Sequence, residues 1–223
     1  MGRARSFLLR RVLAPITAPS QKASFWESQV RAYEKAAVRK PPPRHGVVFV
    51  GSSTIRFWRD LEKHMRPLPA LNRGFGGAHM QHVHHYLERL VLRHEPRCVV
   101  LYAGDNDLGL STTLGPDDVI DALEHVRDDL FRALPDSHLV LLSIKPSTLR
   151  KSRWPDMREV NRRMAEMARA DERMEYVDIA SPMLGPGGEV RAEYLTWDGL
   201  HPSAAGYALF RDLLRPRLME LLS

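Results

Sequence analysis

The sequence predicts an α/β protein, a flavodoxin-like three-layer α/β/α sandwich around a five-stranded parallel sheet of order 2-1-3-4-5. Three observations predict it. Short apolar runs alternate with longer stretches of helical periodicity. Those runs are apolar on both faces, as strands covered by helices on both sides must be. Their number, five, suits a doubly wound sheet whose strand carboxyl ends gather the working loops. The chain has 223 residues, 43% of them hydrophobic, enough to bury a substantial core.

The elements follow in order. Residues 23–40 join good helix formers to apolar positions Phe25, Val30, Tyr33 and Ala37, and Pro41-Pro42-Pro43 stops the run, so an entry helix is expected. His45-Gly46 leads into Val47-Val48-Phe49-Val50, a fully apolar strand; Gly51 turns the chain and a helical pattern follows over about 54–65. A short strand at 70–72, a glycine-rich loop and a helix at about 79–93 repeat the unit. Pro96 precedes a strand at 97–102, and then come a helix at about 116–133, a strand at 138–144, a helix at about 155–170 and a strand at 174–178. The last helix spans 203–222. No repeat of 20–50 residues and no low-complexity tract interrupts the series.

Charge is unevenly spread. Residues 1–46 hold ten Lys/Arg against Glu27 and Glu34, a net of +8, so with +6 overall the remainder carries −2. A slightly acidic body offers no broad phosphate-tracking surface, and no nucleic-acid partner is expected. The basic excess sits largely in an N-terminal extension, residues 1–22, followed by a single domain over 23–223. Arg10 and Arg11 cut the apolar Phe7-Leu8-Leu9 short of a secretory signal, leaving a flexible basic tail or a transit-like peptide. No segment approaches the roughly 20 apolar residues of a membrane span. The expectation is a soluble, cytoplasmic protein, with organelle import or export left open by the tail. Cys98, the single cysteine, lies in an apolar run and reads as a small buried side chain.

Four segments carry chemistry: Gly51-Ser52-Ser53-Thr54, Asn72-Arg73-Gly74-Phe75-Gly76-Gly77, Gly104-Asp105-Asn106-Asp107 and Asp198-Gly199-Leu200-His201. Glycine directly after a strand permits a tight turn, and a serine opening the next helix sits near backbone N–H groups, as a nucleophile or simply as a helix cap. Ser53 is the better-placed serine. His201 stands out among ten histidines because Asp198, three residues away on a glycine-containing loop, can orient its ring. Gly74, Gly76 and Gly77 allow close backbone approach, and the Asn106 amide supplies N–H donors for an oxyanion. The G-x-S-x-G elbow, the dinucleotide fingerprint and the P-loop are all absent.

As a set, the four segments resemble the four sequence blocks of the SGNH/GDSL hydrolase superfamily, over most of the chain from about Val47 to the last helix. Phe49-Val50-Gly51-Ser52-Ser53 and Asn72-Arg73-Gly74-Phe75-Gly76-Gly77 look like its platelet-activating-factor acetylhydrolase-like branch. The resemblance implies Ser53 as nucleophile, His201 as base, Asp198 as orienter, and an oxyanion hole from the Ser53 and Gly77 N–H groups with the Asn106 side chain. It implies no metal and no cofactor. Two positions depart from it: Ser52 stands where the name motif has Asp, and Ala78 where Asp is common.

The expected function is therefore hydrolysis of a short-chain acyl ester, acetyl included, on a small-molecule or glycan substrate through an acyl-enzyme. A non-catalytic binding module for an acylated carbohydrate or lipid, tethered by the basic tail, is the competing reading. Candidate pocket walls are Trp58, His79, Leu108, Lys145 and Trp197. The loop Arg150-Lys151-Ser152-Arg153 is either solvated or at the pocket rim. His79, His82, His84 and His85 do not complete a metal set, because His84 leaves the face shared by His82 and His85 and no Cys or carboxylate accompanies them.

Overall fold

A computed structural model describes residues 22–223. The expectations for the basic extension fall outside the described residues apart from Lys22. Five parallel strands form one sheet in the order β2-β1-β3-β4-β5, with β1 Val47–Gly51, β2 Ala70–Gly74, β3 Cys98–Tyr102, β4 His138–Leu142 and β5 Met174–Val177. This is the predicted flavodoxin-like order, with β2 and β5 at the edges and β1 between β2 and β3.

Strand alternation sorts the side chains into two cores. Val48, Val50, Val99, Leu101, Leu139 and Leu141 face one helical layer: α1 Glu27–Arg39, α4 Met80–His85, α5 Leu87–Leu90, α6 Pro116–Ala133 and α7 Trp154–Ala170. Val47, Phe49, Cys98, Val100, Val140 and Leu142 face the other: the single turns α2 Ser53–Arg56 and α3 Leu61–His64, and the long α8 Ala204–Leu221. Each fully buried Val, Leu or Phe in these layers contributes about 1.5–3 kcal/mol. Burial also pushes the Cys98 thiol well above its ordinary range, which keeps it inert. Among the described residues, no helix is long and apolar enough to cross a membrane.

Three predicted helices differ in detail, each for a side-chain reason. The entry helix begins as a 3-10 turn, Ala23–Trp26, and its anchor is Trp26, 2% exposed, while Phe25 is 60% exposed. The helix predicted over 54–65 is two separate turns. Asn72 Nδ2 donates to the Ile55 carbonyl at 2.7 Å and lies 3.4 Å from that of Trp58, taking acceptors a continuous helix would give to its own N–H groups. Trp58 N–H instead closes a tighter turn onto Ile55 O, and its indole enters the core beside Phe49, Tyr207 and Phe210. The helix predicted over 79–93 breaks at Tyr86, whose φ of −100° and ψ of 10° leave the helical region as its hydroxyl reaches Ala23 O at 2.6 Å.

The Asn72 side chain also accepts from Gly74 N–H at 2.9 Å, so it staples the turn after β1 to the end of β2. Asn72→Ala should cost about 1–3 kcal/mol, the penalty of leaving the buried Gly74 N–H without its acceptor. Thermal unfolding checks the cost. Faster amide exchange at Phe57 and Trp58, with the rest of the sheet unchanged, checks its location.

Candidate active site

The site begins where β1 ends. Gly51 adopts φ +142°, and a Cβ there would collide with the Tyr102 carbonyl of neighbouring β3, so only glycine fits. Ser52 follows in extended conformation, its N–H on Tyr102 O at 3.0 Å and its hydroxyl turned inward onto Asp105 Oδ1 at 3.3 Å. Ser53 opens α2. Its Oγ lies 2.8 Å from His201 Nε2, so of the two serines Ser53 alone meets a histidine.

His201 and Asp198 share one turn, closed by Gly199 N–H on Thr196 O and Thr196 N–H on His201 O, with Gly199 at φ +66°. Asp198 Oδ1 accepts from Leu200 N–H at 2.9 Å, His201 N–H at 3.0 Å and Thr196 Oγ1 at 2.7 Å. Its Oδ2 lies 2.6 Å from His201 Nδ1. Burial alone would raise this carboxyl, but the His201 ring, the two backbone N–H groups and Thr196 outweigh it and hold Asp198 well below the usual carboxylate range. An ionised carboxylate only accepts, so Nδ1 carries the proton and Nε2 is left as the acceptor facing Ser53. The turn is fastened from behind: Lys145 Nζ donates to Leu200 O, and Thr148 Oγ1 and Leu149 N–H donate to Gly199 O, each at 3.1 Å.

The glycine loop after β2 lies against the serine. A Cβ on Gly76 would stand 4.0 Å from that of Ser53, and Gly77 takes φ +77°. The entry helix clamps this loop, with Trp26 Nε1 on Gly76 O at 2.7 Å and Tyr33 OH and Gln29 Nε2 on Gly74 O at 2.6 and 3.2 Å. From the opposite side, Asn106 Nδ2 donates to Ala78 O at 3.0 Å and the Asp107 carboxyl accepts from Met80 N–H at 3.0 Å. The two residues flanking Gly77 thus tie the loop to its neighbours, Gly76 beside Ser53 and Ala78 to Asn106.

The candidate pocket walls separate. Trp58 and Leu108 are fully enclosed in the two cores and cannot touch a substrate. Lys145 is buried beneath the Asp198-His201 turn, where desolvation pushes its amine down to about 8, and it serves that turn rather than the pocket. His79 is buried beside His82, 5.1 Å between ring centres, and no hydrogen bond reaches its Nδ1. Trp197 stands 99% exposed next to Asp198. Phe57, absent from the sequence-based set, packs edge-on against the His201 ring at 5.0 Å; its position one turn after Ser53 was the available signal. Trp26, Gln29 and Tyr33 were missed as well, since nothing local marks a helix 40–50 residues upstream as the clamp of a glycine loop.

The histidine cluster disperses: His84 Nε2 pairs with Asp129 at 2.7 Å, and His85 packs on Tyr86. No group of three or more His, Cys, Asp or Glu among the described residues is arranged to hold a metal ion.

A parallel sheet carrying a Ser-His-Asp hydrogen-bond line at its strand carboxyl ends, beside a glycine loop and an asparagine, defines the SGNH class of α/β acyl hydrolases. The chain belongs to the GDSL-like Lipase/Acylhydrolase family, whose model matches residues 16–209, and is accordingly a carboxylic ester hydrolase. It is 30% identical over 189 residues to the platelet-activating factor acetylhydrolase IB subunit alpha1 of Bos taurus, covering 79% of this chain and 76% of that one. A GDSL-like lipase from Bacteroides thetaiotaomicron superposes with a TM-score of 0.75 at 20% identity, over 86% of this chain and 98% of that one. A carbohydrate esterase family 3 structure from Talaromyces cellulolyticus gives 0.64 at 17% identity, over 78% and 96%.

Two histidines give the fold an acid dependence. Burial pushes His79 down to about 4, with His82 adding to the effect, and burial together with Arg73 brings His94 to about 4. Unfolded histidine titrates at about 6.5. Between these values the unfolded chain binds more protons, so stability falls as pH falls. Asp107, pushed up to about 7 by burial, opposes this as the native state takes up its proton. Two rings against one carboxyl leave a net loss. The Tm should drop on acidification below about pH 6.5, and His94→Gln should flatten that descent. An identical slope in the variant excludes His94 from the effect.

Proposed function

We propose that this chain is a serine esterase that hydrolyses short-chain acyl esters, acetyl esters among them, through an acyl-enzyme on Ser53. The observation that carries the reading is the unbroken line from Asp198 Oδ2 to His201 Nδ1 at 2.6 Å and from His201 Nε2 to Ser53 Oγ at 2.8 Å.

His201 Nε2 takes the Ser53 hydroxyl proton as Oγ attacks the ester carbonyl, and Asp198 holds the ring and stabilises the imidazolium that forms. The carbonyl oxygen gains its charge against the N–H groups of Ser53 and Gly77 and the Asn106 amide. As the tetrahedral adduct collapses, the alcohol leaves with the proton from His201, and Ser53 carries the acyl group. Water, deprotonated by His201, attacks this ester; the acid departs and Ser53 recovers its proton. No step needs a metal or cofactor. The substrate would be a small-molecule or glycan ester, a reading supported by relatives named acetylhydrolase and carbohydrate esterase. The binding-module alternative gains no support from a site in which base and nucleophile are already in hydrogen-bond contact.

Hydrolysis of p-nitrophenyl esters from acetyl to decanoyl should favour the short end, and Ser53→Ala should abolish it. A preference for long chains would overturn the acyl assignment, while turnover surviving in Ser53→Ala would remove the nucleophile. Asn106→Ala should lower kcat by roughly 10²–10³-fold with KM little changed; an unchanged kcat would take the amide out of the oxyanion hole.

A further inference from the structure

We infer that Arg150 is a positioning residue that fixes which end of the Asn106 amide faces the reacting carbonyl, an inference that rests on the esterase reading above. An asparagine amide fits nearly the same space in two orientations related by a flip, and only one of them offers N–H to an oxyanion. Two contacts remove the choice. Ala78 O, which can only accept, lies 3.0 Å from Nδ2. On the other side Arg150 Nη2, which can only donate, lies 2.9 Å from Oδ1. Reversal would set carbonyl against carbonyl and amine against guanidinium. With one Nδ2 hydrogen on Ala78, the second is left for substrate. A charged donor on Oδ1 also polarises the amide and makes that N–H the stronger donor.

Arg150 is built into place. Its side chain is 13% exposed, and Nη1 lies 2.5 Å from Asp105 O and 3.4 Å from Asp105 Oδ2. The buried Asp105 carboxyl also receives the Ser52 hydroxyl at 3.3 Å and the Tyr102 hydroxyl at 3.4 Å. The residue the sequence offered as solvated or rim-facing is thus the inner support of the site. Its planar fork spans Asp105 and Asn106 together, which a lysine ammonium cannot do.

The test compares Arg150→Met and Arg150→Lys with wild type on p-nitrophenyl acetate. Arg150→Met should lower kcat toward, and not beyond, the roughly 10²–10³-fold loss of a missing oxyanion donor, with KM little changed. Arg150→Lys should fall between. In Arg150→Met/Asn106→Ala the loss should equal that of Asn106→Ala alone, because the arginine acts only through the amide. An unchanged kcat in a folded Arg150→Met protein, or losses that multiply in the double variant, overturns the inference. Should Arg150→Met not fold, Arg150→Lys decides: full wild-type kcat refutes the role. Failure of the esterase reading is distinguishable, since it appears as absent turnover in wild type. A crystal structure of Arg150→Met at a resolution that separates amide N from O supplies a readout independent of turnover: an Asn106 Nδ2 still seated on Ala78 O as in wild type overturns the inference, and a rotated amide upholds it.

Discussion

Everything in the site hangs from the register of three parallel strands at Gly51. That residue pairs with Gly74 at the end of β2 and with Tyr102 at the end of β3, so the loops leaving β1, β2 and β3 start from one level. The register is locked past the strand ends, where Ser52 N–H reaches Tyr102 O and Phe75 N–H reaches Gly51 O. A side chain at Gly51 would push β3 away and carry the 104–107 loop from the serine. The constraint is steric, and it converts sheet geometry into the distance between the proposed nucleophile and its proposed oxyanion donors.

Behind that edge the protein buries charge, which is costly unless matched. Asp105 and Lys145 are buried and Arg150 is largely so, and Asp105 is the common partner: Arg150 contacts it directly and its field partly offsets the desolvation of Lys145. This arrangement explains a residue that departs from the family's name motif. Ser52 Oγ sits 3.3 Å from Asp105, where a carboxylate would confront a second one in a dry site. A neutral hydroxyl donates to the charge already present. The departure at Ser52 is therefore accommodated by chemistry contributed by the third segment.

The fold was legible because its signals are local and repeated: apolar runs with helical stretches between them mark the strands of a parallel sheet, and their number suggests the order the sheet adopts. The Ser53, Asp198 and His201 positions were legible because each needs a turn that glycine betrays. What was illegible depends on contacts distant in sequence. Asn72 breaks a helix whose periodicity is sound, and nothing in 54–65 announces an amide from β2. Trp58 and Leu108 read equally well as pocket walls or core, because hydrophobicity states that a side chain is buried without stating against what. Arg150 had the composition of a surface loop, and only the fold supplies its acceptors.

The supports of the two halves of the site differ in kind. The Asp198-His201 turn is held largely by bonds within itself, from its backbone N–H groups to Asp198 Oδ1 and between Thr196 and His201, with Lys145, Thr148 and Leu149 fastening it from behind. The glycine loop has fewer such bonds, Gly74 N–H on Asn72 Oδ1 and Ala78 N–H on Phe75 O. Gly74, Gly76 and Gly77 lack side chains to pack, and glycine loses more conformational freedom on ordering than any other residue. Its order must come from neighbours, and it does: Trp26, Gln29 and Tyr33 grip its carbonyls from one side while Asn106 and Asp107 hold residues 78–80 from the other. Donors that stabilise a developing charge work only if they are in place before it forms. The entry helix contributes no atom to the proposed chemistry, yet it is as much a part of the proposed oxyanion site as the loop it grips.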